Sequence, residues 1–179
     1  MTQIGNVYAA GLYSLAKEEG LEKVILQELD PLETAFCENP EFVKLLSAAN
    51  LSRQERCGIL DDSFRGKVQP YVLNFLKILT EKGYMRQFGD CCRAFHRQYN
   101  EDNGILPVKA VTAVAMTEAQ KSRLTEKLSG ITGKTIELQC RVDPACMGGV
   151  RLDYDGMRVD GTVKNRLDSI SALLQSTVL

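Results

Sequence analysis

Apolar positions over the first hundred residues recur at helical spacing. Val7, Tyr8, Leu12, Leu15 and Ala16 share one helix face, and Gly20 supplies a stop signal. A second pattern runs through Leu21, Val24, Ile25, Leu29, Leu32 and Phe36. Pro31 interrupts it, so a kink or a restart is expected there, with Asp30 as a local cap. Asn39-Pro40-Glu41 reads as a helix start: cap, proline at the first position, acid in the first turn. Phe42, Leu45 and Leu46 follow on a short helix. Ser52 and Glu55 have the spacing of a capping box, in which each side chain satisfies a free backbone donor at the other. The helix they open uses Cys57, Ile59, Leu60 and Phe64.

The fifth pattern, from Pro70 to Glu81, is the widest. Tyr71, Val72, Leu73, Phe75, Leu76, Ile78 and Leu79 are all apolar. They cover well over half the circumference, whereas one packed face needs a stripe of roughly 100°. Two readings fit: a central helix buried on most sides, or a helix with one side left open as a hydrophobic groove. A sixth helix is predicted from Tyr84 to Asn100, with Phe88, Cys91, Cys92, Phe95 and Tyr99 inward.

At Asp102-Asn103-Gly104 the period changes to two. Leu106, Val108, Ala110, Thr112 and Val114 alternate with their neighbours as in a strand. Thr117 and Gln120 form another capping box before a helix through Leu124 and Leu128, with Gly130 to Gly133 as its exit turn. Ile136, Leu138, Cys140 and Val142 alternate with polar residues in a second strand. Asp143-Pro144 ends it, because proline has no N–H and restricts the residue before it. Asp155-Gly156 between Val150-Leu152-Tyr154 and Met157-Val159 is a hairpin signal. Gly148-Gly149 marks a close backbone approach, and Asp160-Gly161 turns the chain into a last helix, with Thr162 as N-cap and Val163, Leu167, Ile170 and Leu174 inward. The expected fold is α+β, mostly α: an N-terminal six-helix bundle over 1–104, then a small β-α-β-β-α domain over 105–179.

Composition narrows the function more than the fold. A net charge of −1 over 179 residues gives no electrostatic case for nucleic-acid binding. No apolar run approaches the roughly 20 residues that span a bilayer. The first residues carry no basic and apolar signal pattern, so a protein neither secreted nor imported is expected. Cys37, Cys57, Cys91, Cys92, Cys140 and Cys146 are scattered without CxxC spacing, which fits buried thiols in a reducing compartment.

Candidate chemistry is sparse. Gly130-Ile131-Thr132-Gly133-Lys134-Thr135 resembles the tail of a phosphate-binding loop, but Leu128 stands where the first glycine belongs. The order is also inverted, since such a loop follows a strand and opens a helix. His96 is the single histidine, which makes neither a triad nor a zinc site. Cys91-Cys92 is expected to place one thiol in the core and leave the other partly exposed, and a thiol enzyme built on one of them is the weakest competing reading. No nucleophile–base pair, metal cluster or cofactor loop is legible, so a non-enzyme without cofactors is expected.

Ordered blocks along the whole chain resemble the delta subunit of the rotary ATP synthase, whose mitochondrial counterpart is the oligomycin sensitivity-conferring protein. They are Tyr8-Ala9-Ala10-Gly11-Leu12; Asn74-Phe75-Leu76-Lys77-Ile78-Leu79 with Glu81-Lys82-Gly83; and Asp143-Pro144, Gly148-Gly149-Val150, Asp160-Gly161-Thr162-Val163 and Arg166-Leu167. Gly11 departs from the family's usual second alanine and Tyr84 from its common arginine. The resemblance implies a stator subunit, present once per complex. Its N-terminal domain would bind N-terminal segments of the alpha subunits, and its C-terminal domain the b subunits of the peripheral stalk. It implies a peripheral location on the cytoplasmic side of a bacterial inner membrane, without direct membrane insertion. On this resemblance the groove for the alpha helix is placed between the first and fifth helices, with Tyr8, Ala9, Leu12, Phe75, Leu76 and Leu79 as its residues. Asp143, Pro144, Gly148, Gly149, Asp160, Gly161, Thr162 and Arg166 form the signature scaffold. The competing reading is a helical adaptor or regulatory module unrelated to ATP synthase.

Overall fold

In a computed structural model, residues 3–48, 51–163 and 165 are described. The fold is mostly helical with one small four-stranded sheet, and the chain divides into two compact units, Met1–Tyr99 and Asn100–Leu179.

In the first unit α1 spans Gln3–Glu19, α2 Glu22–Glu38, α3 Pro40–Leu46, α4 Arg53–Phe64, α5 Pro70–Glu81 and α6 Phe88–Asp102, whose last turn crosses into the second unit. Gly20, at a φ of 65°, ends α1. The Leu21 N–H reaches back to the Ala16 carbonyl at 2.8 Å, and Gly20 N–H to Lys17 at 3.3 Å. This paired closure satisfies carbonyls the helix end would otherwise leave free. Gly83 closes α5 in the same way, with Tyr84 N–H donating to Leu79 at 2.7 Å. The Ser52–Glu55 capping box forms in both directions, at 2.8 and 3.2 Å.

Three helical expectations need correction. α2 runs through Pro31 without a restart. Leu29 and Leu32 are buried on either side of it, and this packing holds the helix together where one backbone donor is missing. Asn39 does not cap α3 with its side chain; its Nδ2 donates backwards to the Ala35 carbonyl, closing α2. The sixth pattern begins with a 3-10 turn at Met85–Gln87, so α6 starts at Phe88.

One core joins α1 to α6. Phe36 sits among Phe42, Phe64 and Phe88, with the Phe88 ring edge-on at 5.0 Å, and Tyr13 meets Phe95 edge-on at 5.3 Å. Such aromatic pairs bury large area in fixed geometry.

In the second unit β1 spans Ile105–Thr112, α7 Glu118–Thr132, β2 Thr135–Val142, β3 Val150–Tyr154 and β4 Met157–Asp160. The sheet order is β2-β1-β3-β4. β1 pairs in parallel with β2, with Val108 opposite Leu138, and antiparallel with β3, with Ala110 opposite Leu152. Asp155 and Gly156 both take positive φ, 46° and 75°, as the tight two-residue turn between β3 and β4 requires. The Thr117–Gln120 capping box opens α7.

β1 ends at Thr112, not Val114, because the Thr112 hydroxyl donates to the Val114 carbonyl and bends the chain. Gly130 is helical, and Gly133 alone is the exit residue, in the left-handed conformation. The second half of β2 is less buried than its alternation promises. The small core of Leu106, Val108 and Ile136 takes in Leu138 and Leu128, whereas Cys140 and Val142 stay exposed among the described residues. The last helix predicted through Leu167, Ile170 and Leu174 lies outside the described residues.

A candidate docking groove on the helical unit

α1 turns two faces to useful work. Ala9, Leu12, Tyr13 and Ala16 are buried in the core. Val7, Gly11 and Leu15, four residues apart, form a row beside them. α5 repeats the device: Val72, Leu76 and Leu79 are fully buried, while Tyr71, Asn74, Phe75 and Ile78 form a neighbouring row at helical spacing. The wide apolar arc of α5 therefore combines both alternatives its sequence left open, a core face and an open face.

Between the two rows lies a groove of about 470 Å³, lined by Val7, Tyr8, Gly11, Leu12, Leu15, Tyr71, Asn74, Phe75 and Ile78. None of these side chains is charged, and only Tyr8, Tyr71 and Asn74 bring polar atoms. The groove's rims are held out to solvent: Val7 is 66% and Ile78 45% exposed. Tyr8 is positioned by Tyr84, whose ring packs on it at a centroid distance of 5.9 Å. Tyr84 is set there by the closure of α5 at Gly83.

The six residues named from sequence divide evenly. Tyr8, Leu12 and Phe75 line the groove. Ala9, Leu76 and Leu79 do not: each is wholly closed to solvent in the core, so they support the groove from behind. Val7, Gly11, Leu15, Tyr71, Asn74 and Ile78 were missed, although the four-residue spacing of Val7, Gly11 and Leu15 signals them.

The signature scaffold in the second unit is a set of backbone clasps. Asp143 Oδ1 accepts from Ala145 N–H at 3.0 Å and starts the 3-10 turn Pro144–Cys146, with Pro144 in its first position. Gly161 N–H donates to Val150 at 3.0 Å, and Val163 N–H to Gly148 at 3.0 Å. A Cβ on Gly149 would lie 2.5 Å from the Gly161 carbonyl oxygen, so two backbone segments touch where only glycine fits. Asp160 Oδ1 accepts from both the N–H and the hydroxyl of Thr162, at 3.0 and 2.6 Å, and those bonds hold its carboxyl below the usual range. The Thr162 hydroxyl in turn accepts from Asn165 N–H at 3.3 Å, as an N-cap does. Arg166 lies outside the described residues.

Among the described residues no group of three or more His, Cys, Asp or Glu is placed to hold a metal. Cys91 and Cys92 are both buried, against the expectation that one would be exposed, because both α6 positions fall within the wide core face. Burial first, and the Asp90 charge second, push the Cys91 thiol up to about 11, and Cys92 is raised by burial and Glu33. Both shifts favour the neutral thiol over the thiolate that a nucleophile uses. His96 bonds to Asp30 through Nε2, tying α6 to α2.

Comparison with known proteins decides what kind of chain this is. A family model described as ATP synthase delta (OSCP) subunit matches residues 4–174. The chain belongs to that family. ATP synthase subunit delta of Clostridioides difficile is 29% identical over 176 residues, covering 98% of this chain and 97% of its own. ATP synthase subunit delta of Alkaliphilus oremlandii is 31% identical over 172 residues, with 96% of each covered. A chain in the cryo-EM structure of the Toxoplasma gondii mitochondrial ATP synthase hexamer superposes with a TM-score of 0.75 at 20% identity, over 97% of this chain and 98% of that one. At that identity it shows a shared fold. Membership of the delta/OSCP family removes the unrelated helical adaptor.

Proposed function

We propose that this protein is the non-catalytic stator subunit of a proton-translocating F-type ATP synthase. It links the N-terminal segments of the alpha subunits to the b subunits of the peripheral stalk, so that proton flow is coupled to ATP synthesis. Residues 1–104 take the catalytic head and residues 105–179 the stalk. The protein works as a single copy, peripheral on the cytoplasmic side of a bacterial inner membrane and held there by its partners. Among the described residues no helix is long and apolar enough to cross a membrane.

The observation that carries this reading is the open, uncharged groove between α1 and α5. A trough formed by two helices accepts the apolar face of a third, and burial there contributes roughly 25 cal/mol per Å². The test replaces rim residues, not supports. Val7→Asp and Ile78→Asp each place a carboxylate in the groove while leaving the core intact. Titrated with a synthetic peptide of the alpha N-terminal segment from the same organism, both variants should bind at least roughly tenfold more weakly, since a buried charge without a partner costs several kcal/mol. Their helical circular dichroism should match the parent. Parent-like affinity in both variants would sink the assignment of the groove. Phe75→Asp is a poor probe, because Phe75 is buried and packs on Phe88.

A further inference from the structure

Asn103-Gly104, Asp155-Gly156 and Asp160-Gly161 each put an asparagine or aspartate before a glycine. Such pairs share one latent reaction. Glycine has no Cβ to screen its backbone nitrogen, so that nitrogen can attack the carbonyl carbon of the preceding side chain. The fold treats the three pairs differently. Asp160 is held on both sides: its Oδ1 accepts the Thr162 N–H and hydroxyl, and the Gly161 N–H donates to the Val150 carbonyl at 3.0 Å. At Asn103 the backbone is tied: Gly104 N–H donates to the Glu101 carbonyl at 3.3 Å, and the Gly104 carbonyl accepts from Thr135 N–H at 2.9 Å. Asp155 and Gly156 lie exposed at the tip of the β3–β4 hairpin. Among the described residues, neither the Asp155 carboxyl nor the Gly156 N–H makes a hydrogen bond. No heavy atom lies within 4 Å of the place a Gly156 Cβ would take, and β4 pairs only with β3, so opening the tip disturbs one short ladder.

We propose that Asp155 is a site of spontaneous isomerisation, where the hairpin tip converts to isoaspartate while the fold spares Asn103 and Asp160. The Gly156 nitrogen bonds to Asp155 Cγ, the Cγ–OH bond breaks, and the nitrogen's proton leaves with the hydroxyl as water. A second water then opens the five-membered ring. Attack at Cγ restores aspartate, and attack at the Asp155 main-chain carbonyl carbon leaves the backbone running through the side chain. One water is lost and one regained, so the mass is unchanged. The product carries an extra methylene in a turn whose two positive φ angles, 46° and 75°, set Tyr154 opposite Met157. The longer turn breaks that register. β4 ends at Asp160, so the clasp of Asp160 on Thr162 loses its anchor with it.

Full-length protein is aged in native buffer well below its melting temperature, beside a sample unfolded in urea. Both are sampled over weeks and digested, and isoaspartate is located by electron-transfer fragmentation of the peptides. Asp155 should keep most of its urea rate in the native protein. Asn103 and Asp160 should be slowed by roughly tenfold or more, the cost of releasing one hydrogen bond before attack. Asp155→Asn keeps a turn sequence that suits the hairpin, and should react faster than the parent by losing ammonia, read as a mass shift confined to that peptide. Parent aged until residue 155 is largely isoaspartate should show a lowered melting transition of the second unit. Native slowing at Asp155 equal to that at Asp160, or no isoaspartate at 155 in the native protein, overturns the proposal. Isoaspartate at 155 with an unchanged transition overturns the loss of the hairpin.

Discussion

Single residues show where chain geometry has left no choice. Gly149 combines a φ of 84° with a contact that a Cβ would push to 2.5 Å. Gly149→Ala should cost roughly 2–4 kcal/mol from backbone strain and forced displacement together, read as a lowered urea midpoint. Asp160 gives a pH signature. Its folded carboxyl is held below the ordinary range, first by the Thr162 hydroxyl and then by the Thr162 N–H. The unfolded chain therefore takes up a proton at higher pH than the folded one. The capping contribution is fully present above the ordinary carboxylate range and is lost as pH falls towards the folded value. Asp160→Asn should destabilise the protein at pH 7 and flatten that part of the acid limb, measured as midpoint against pH. The thiols make a third case. Cys37 and Cys140 are exposed, and Cys91, Cys92 and Cys146 are buried. Ellman's reagent on native protein should titrate Cys37 and Cys140 quickly and the buried three only on unfolding.

Elements show how much a pattern can carry. The capping boxes at Ser52 and Thr117 were readable as spelled, because the bond partners are three residues apart and need nothing from the rest of the fold. Each of Ser52→Ala and Thr117→Ala should cost about 1 kcal/mol, seen in chemical denaturation. The Asp155-Gly156 turn was legible for the same local reason. Pro31 misled because burial of Leu29 and Leu32 is a tertiary matter that overrides a local breaker. Cys140 and Val142 misled because alternation states which residues share a face, not whether anything covers it. In α1 and α5 the error was finer. Ala9, Leu76 and Leu79 are apolar like their neighbours, and one helical step separates a core position from a groove position.

At the scale of the whole molecule, two cores of unequal size sit in one chain. The helical unit packs residues from six helices together, whereas the sheet among the described residues closes around Leu106, Val108 and Ile136. Unequal cores favour separate transitions over a single two-state loss. Gly149→Ala should therefore shift one transition in calorimetry and leave the transition of the helical unit in place. The change of period falls at Gly104, whereas the chain divides at Tyr99–Asn100, so α6 continues past the end of its own core.

β1 is the first strand after Gly104 and lies inside the sheet, bonded to β2 along one side and β3 along the other. A pull arriving through Asn103-Gly104 therefore meets an inner strand. An edge strand unzips bond by bond under tension, but β1 leaves only when two ladders rupture together. The chain thus enters its second unit at a strand that two ladders hold at once.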